Sequence, residues 1–409
     1  MKLCSSSIAL VAILTSLYRS TAATTQTNVG GAIYFISNDP EANHVLTAEV
    51  GSDGSLDFQR AVYAGGKGAL GNATPRPADA LFSGKGAVAV SQEANLLAAV
   101  NPGSNSLALF HIDPARPSDL VPIGHPVWTG GDFPMSVTFN KKGNHVCVLN
   151  GGAVSGVECF RVNRVWGLQA IPDTRRPLHL NQTTPPSGPP GSASQIIFTD
   201  DDSQLVVAVK GAPPASTGYL AVWDVVHNGA LSANFSTVPT PQGGALPFSL
   251  SAVPGTRAFV AADPNVGFDV FDLDDASKNA AVAVQGQAAN CWGARSPKTG
   301  HFFLTDPGAA MVNEVAVDGN LKGSVVAQYS QGNTTTALVD VDIGAVGDNE
   351  FIFILATGDT TVQVRRVDGP GSTTNVGAFG YGAFYNTTGL GIVPRTAQGM
   401  AVWSAPASH

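Results

Sequence analysis

A short apolar stretch closed by a polar or glycine-bearing turn recurs seven times along the chain. That recurrence limits the fold more than any single motif. The copies are Ala32 to Asn38, Leu96 to Asn101, His145 to Asn150, Leu205 to Lys210, Ala258 to Asp263, Phe302 to Asp306 and Phe351 to Ala356. Each is bounded by Gly, Asn, Asp or Lys, the mark of short antiparallel strands joined by tight turns. Successive copies lie roughly 45 to 60 residues apart, the length of one four-stranded propeller blade. A sheet this small cannot bury both faces alone and must stack on copies of itself.

A second apolar strand precedes most copies: Gly86 to Ser91, Met135 to Asn140, Gln195 to Thr199, Phe248 to Val253, Cys291 to Ser296 and Leu338 to Ile343. Alternating third strands follow, such as Tyr219 to Val225 and Thr361 to Val367, with late turns at Asp318-Gly319 and Asp368-Gly369. The expected fold is all-β: one seven-bladed propeller of four-stranded antiparallel blades over residues 24–409. The first blade lacks its innermost strand. Leu390 to Pro394 is expected to supply it, pairing the two chain ends and removing the open edges. Met400 to Trp403 has no place in this scheme. Pro172 to Gly191 reads as an exposed loop between blades, and no helical period of useful length appears beyond the N-terminal segment.

Only 13% of the 409 residues are charged, and the net charge of −8 comes without any Lys/Arg run. That balance excludes nucleic acid as a partner. Lys2, the apolar core Ile8 to Leu14 and the small residues Thr21-Ala22-Ala23 form a signal peptide over residues 1–23. The apolar run is too short to span a bilayer, and no later run is longer. The expectation is a secreted monomer. Sequons at Asn72, Asn181, Asn234, Asn333 and Asn386 suit that compartment. Chance triplets explain one or two; five behind a signal peptide argue for glycosylation.

Cys147 and Cys159 sit on adjacent strands at similar distance from their turn, so a disulfide is expected, with Cα atoms about 4.4 to 6.8 Å apart. Two buried thiols are the alternative. Cys291 is left as a core residue. No zinc spacing, phosphate loop, G-x-S-x-G or H-E-x-x-H is present, so no cofactor is expected.

Val45 to Leu56, Ala64-Gly-Gly66 and Gly131-Asp-Phe-Pro134 carry a resemblance. The chain resembles the lactonase-type seven-bladed propellers, which include 6-phosphogluconolactonases and 3-carboxy-cis,cis-muconate cyclases. It is most similar to the secreted fungal cyclase-like proteins, some of them cell-wall glycoprotein antigens. The resemblance implies chemistry at one mouth of the central channel, where second-strand turns and inter-blade connections meet. The second-strand ends place Asp39, Asn101, Asn150, Lys210, Asp263 and Asp306 there as ligand-binding candidates around one cation. The connections add His125 and Asp132 as candidate catalytic groups, with Arg175, Arg176 and Asn290 beside them. Asn and Asp also favour turns for local capping, so each has a structural alternative. Lys has no turn role, which singles out Lys210.

The resemblance also implies an Arg-His pair where this chain has Met135 and Ser136, and an acid where it has Gly151. Only the cation is kept, as Lys210, and Lys does not replace Arg at a bidentate carboxylate site. Two readings follow. One is an extracellular enzyme that opens or closes a lactone of a small carboxylate or sugar acid. The other is a non-catalytic glycoprotein that binds a small anionic ligand or a cell-wall component.

Overall fold

The second strand of each blade has neighbours on both edges and both faces. Leu96–Asn101 and Ala258–Asp263 are accordingly buried at every position. The fourth strands face solvent at the rim, and Leu56–Tyr63 and Gly323–Ser330 mix half-buried with exposed residues. Burial thus falls outward across each sheet, and the most apolar segments of the sequence are the most enclosed strands.

The computed structural model describes residues 29–73, 79–83, 85–332, 337–390 and 393–406. The leader segment 1–23 and the Asn333 sequon lie outside them. Seven antiparallel sheets surround a central channel. Blade 1 combines residues 31–63 with a C-terminal strand. Blades 2 to 7 span residues 88–122, 134–170, 193–239, 249–283, 292–330 and 338–380. Short extra strands join two of them: Val127–Trp128 pairs with the third strand of blade 2, and Arg176–Pro177 with that of blade 3.

The ring is closed by pairing the first strand with the last, but the closing strand is not Leu390 to Pro394. It is Gln398–Ser404, in register Gly31↔Ser404 and Ile33↔Val402. Leu390 and Val393 lie outside any strand, and Pro394–Thr396 is a 3-10 turn; residues 391–392 lie outside the described set. Trp403 explains the choice. Its ring is fully buried, and its Nε1 donates to Asn95 Oδ1 at 2.9 Å. Met400 and Ala401 are buried beside it. Gly399, at φ 80°, lets this strand pass blade 2, since a Cβ there would stand 2.8 Å from Val88.

A helix not expected from the sequence, Gly382–Thr388, precedes this strand. Seven residues are too few for a period to register. It buries Tyr385, and Tyr381 just before it packs 5.1 Å from Phe35.

The Pro-rich segment is less free than expected. Leu178 is buried, Asn72 N donates to Pro186 O at 2.7 Å, and Gly188 lies against Phe82. Cys147 and Cys159 stand directly opposite on paired strands and are bridged, with Cα atoms 4.0 Å apart. Directly opposed residues of an antiparallel pair sit at about 4.5 to 5.5 Å. The bridge forms as expected, while its Cα separation falls slightly below both that spacing and the expected range of about 4.4 to 6.8 Å. Cys291 is free and buried.

Candidate functional site

The second-strand ends do converge on the face that carries the inter-blade connections, but most are occupied by backbone. Asn101 Nδ2 donates to Ala64 O at 2.9 Å, and Asn150 Nδ2 to Thr129 O at 2.7 Å. Asp263 Oδ2 accepts from Ala245 N and Leu246 N at 2.7 and 2.9 Å. Asp306 accepts from Ala288 N and Ala289 N at 2.7 and 2.9 Å. In every case the partner is the connection arriving from the preceding blade. Asp39 closes a local turn, accepting from Glu41 N at 2.8 Å. These side chains cap turns and latch connections, as short polar side chains at strand ends do.

Lys210 points inward, yet its neighbours are not the expected acids of blades 5 and 6. It is buried, and its Nζ donates to Phe82 O at 2.6 Å and Ala193 O at 2.8 Å. The ammonium lies 4.3 Å from the centre of the Phe248 ring. The acid that acts on it is Asp79.

Asp79 and Phe82 belong to the connection between blades 1 and 2, whose described residues 79–83 and 85–87 form a strap against the inner strands of other blades. Leu81 and Phe82 are fully buried. Trp292 of blade 6 donates Nε1–H to Ser83 O at 2.7 Å. Ser136 of blade 3 donates to Lys85 O at 2.7 Å, and Lys85 pairs with Asp342 of blade 7 at 2.7 Å. Blades 3, 4, 6 and 7 thus all hold the strap. The sequence reading missed it. Its one signal is the apolar triplet Ala80-Leu81-Phe82 in a connection that should be polar.

Met135 is buried, and a Cβ on Gly151 would stand 2.3 Å from its Sδ. A thioether therefore fills the space where the resemblance implies polar groups.

Burial pushes the Asp79 carboxyl up to about 7, against the opposing pull of Lys210. Burial also brings the Lys210 ammonium down to about 7, with Asp79 acting the other way. Groups titrating near neutrality suit proton transfer, but a proton carrier must reach the reacting atom. Here the Lys210 protons go to two carbonyls under the strap. Asp79 Oδ1 accepts from Leu81 N at 3.2 Å, while Oδ2 has no partner.

Inside the ring, the innermost strands leave a cavity of about 310 Å³ lined by Lys85, Gln195, Arg295, Asp342 and Met400 among others. His125 is exposed on its connection. Asp132 accepts from Thr184 Oγ1 at 3.0 Å and from Asn105 Nδ2 at 3.3 Å, another latch. No contact joins His125 to Asp132. Among the described residues, no three His, Cys, Asp or Glu side chains converge as a metal site, and no helix is long and apolar enough to cross a membrane. The sequon residues Asn72, Asn181, Asn234 and Asn386 are exposed; Asn386 lies on the short helix rather than in a loop.

The fold and its channel define a seven-bladed β-propeller in which the segment around Phe82 is bonded to side chains of blades 4 and 6. Residues 41–171 match the family model of the lactonase seven-bladed β-propellers. No curated protein matches the sequence. Among solved structures the chain is similar to the periplasmic gluconolactonase of Pseudomonas aeruginosa, at 16% identity and TM-score 0.61, over 91% of this chain and 100% of that one. It is similar to a candidate 6-phosphogluconolactonase of Bacteroides fragilis at 14% identity and TM-score 0.59, over 85% and 94% of the two chains. The hydrazine synthase of Kuenenia stuttgartiensis also matches, at 13% identity and TM-score 0.52, over 85% and 99%. At these identities the likeness speaks for the fold alone, and the third neighbour carries a different chemistry in its name.

Proposed function

We propose that this chain is a secreted, N-glycosylated propeller that binds a ligand and does not turn over lactones at its channel mouth. One observation carries the reading: the only cation kept from the family's expected polar set, Lys210, is buried and spent on the carbonyls of Phe82 and Ala193. Met135 against Gly151 supports it, since no acid or base stands in their place. The leader sequence, the exposed sequon residues and the Cys147–Cys159 bridge support export to an oxidising compartment.

The test is lactone hydrolysis, followed by proton release, with gluconolactone, 6-phosphogluconolactone and a carboxymuconolactone. The expected rate equals the buffer rate from pH 6 to pH 8. Turnover above background would return the chain to the lactonase reading. Export is checked separately in a eukaryotic secreting host. A mature N-terminus near Thr24 and a mass loss on treatment with an N-glycosidase are expected. An intracellular, unmodified product would remove that part of the proposal.

A further inference from the structure

A second cavity, of about 200 Å³, lies between the connection entering blade 3 and the one leaving it, lined by Gly130, Asn150, Val154, Gly156, Val157 and Arg175 among others. It has roughly the liquid volume of six or seven waters, the space of one sugar ring. Neither Lys210 nor the strap lines it.

Its polar groups are placed and incompletely satisfied. Asn150 is 1% exposed; its Nδ2 is used on Thr129 O, but its Oδ1 has no hydrogen-bond partner. A buried acceptor left unmatched costs about 1 to 3 kcal/mol, so such atoms call for an explanation. Arg175 Nε donates to Glu158 Oε2 at 3.2 Å, and both its Nη groups are without a protein partner. Glu158 is itself only 6% exposed. A Cβ on Gly130 would come within 1.7 Å of Glu158 Oε2, so the glycine leaves the carboxylate its place. The neighbouring Arg176 is spent on Ser232 O and Leu231 O, both at 2.8 Å. The Arg175 guanidinium is set 4.7 Å from the centre of the Trp128 ring, and Trp128 remains 56% exposed, as does Val154.

We infer that this cavity is a saccharide subsite that takes one pyranose ring of a neutral glycan. A ring hydroxyl both donates and accepts, so one ligand can supply the donor Asn150 Oδ1 lacks and accept from the free Arg175 Nη groups. The Arg175–Glu158 pair balances charge, which disfavours a simple anion. The exposed Trp128 indole is not among the lining residues but lies against Arg175, which is, and so offers the apolar C–H face of a sugar a surface at the rim. Val154 and Val157 supply the apolar wall that small-ligand sites share. The binding role proposed above thus acquires a site and a ligand class.

The test is calorimetric titration of the full mature chain with methyl pyranosides of glucose, mannose, galactose and N-acetylglucosamine, with tryptophan emission read in parallel. Binding of at least one at millimolar concentration or tighter is expected. Trp128→Ala and Arg175→Gln should each weaken it by about tenfold or more, a loss of about 1.4 kcal/mol. The thermal midpoint should be unchanged in Trp128→Ala and lowered in Arg175→Gln, which leaves the buried Glu158 carboxylate without its partner. The ligand-induced emission change should vanish in Trp128→Ala. Absence of binding by every pyranoside, or equal affinity in both variants, overturns the inference. So does displacement by inorganic sulfate, which would make Arg175 a simple anion site. Lactone turnover is read in a separate assay, so the catalytic and saccharide readings can fail independently.

Discussion

The Lys210 ammonium donates to the Phe82 carbonyl 2.6 Å away, so a residue of blade 4 is held by the strap between blades 1 and 2. The bond closes the mouth with main-chain atoms rather than with a side chain that a ligand could displace by charge alone.

Replacing Lys210 tests that closure. Lys210→Ala leaves the carbonyls of Phe82 and Ala193 without this donor and opens a void, and should cost about 3 kcal/mol. Lys210→Met keeps most of the packing against Phe248 and should cost less. Urea denaturation measures both, and a Lys210→Ala midpoint equal to the parent's would mean that the strap is held by other contacts.

The Cys147–Cys159 bridge closes a loop of 12 residues in sequence separation. Chain-entropy arguments give a loop of this length about 3 kcal/mol. The Cys147→Ala/Cys159→Ala pair should unfold at correspondingly lower urea, and a reductant should shift the parent toward the variant without moving the variant itself.

Asp269 gives a pH-dependent prediction. It is fully buried in the third strand of blade 5, and neither carboxyl oxygen has a protein donor. Burial, and then the Asp263 carboxylate, hold its carboxyl well above the usual range. The native state therefore keeps a proton that the unfolded chain releases. This contribution to stability is fully present below about pH 4 and is lost as pH rises toward the folded value. Asp269→Asn removes the titration and keeps a donor toward Asp263. Its urea midpoint should exceed the parent's at pH 7.5, with the gap closing toward pH 4. A gap that does not change with pH would show that Asp269 is not the group responsible.

Trp403 holds the closing strand. Trp403→Ala removes a fully buried ring and its bond to Asn95, a change expected to cost about 3 to 5 kcal/mol. Scanning calorimetry should show one lowered transition, because a ring opened at blade 1 loses support from both sides. An unaltered transition would place the closure elsewhere.

The blades were legible because their second strands are enclosed on every side, which forces apolar residues at both faces of the pleat. The closing strand was misread for a related reason. Leu390 to Pro394 is short and apolar, but its glycine and proline suit a turn, whereas Met400 to Trp403 carries the ring that fills the space beside Asn95. At the mouth, Lys210 stood out as a cation among acids and amides. Its partners did not, because a backbone carbonyl such as that of Phe82 leaves no trace in the residue types. Asn101, Asp263 and Asp306 look alike in sequence whether they latch a connection or bind a ligand. Only their distances to Ala64, Ala245 and Ala288 separate the two. The cavity beside blade 3 draws on three separate segments, and the exposed Trp128 near it resembles any surface aromatic until Arg175 is set against it.

The closure of blade 1 also has a consequence for the order of synthesis. Gly31–Ile36 leaves the ribosome early; one edge pairs with His44–Val50, and among the described residues the other is covered only by Gln398–Ser404. Throughout elongation this strand, buried at every position in the finished ring, presents an open apolar edge. A chain interrupted anywhere before Gln398 keeps that edge for good, and so offers a sticky strand to other nascent chains and to the chaperones that survey them.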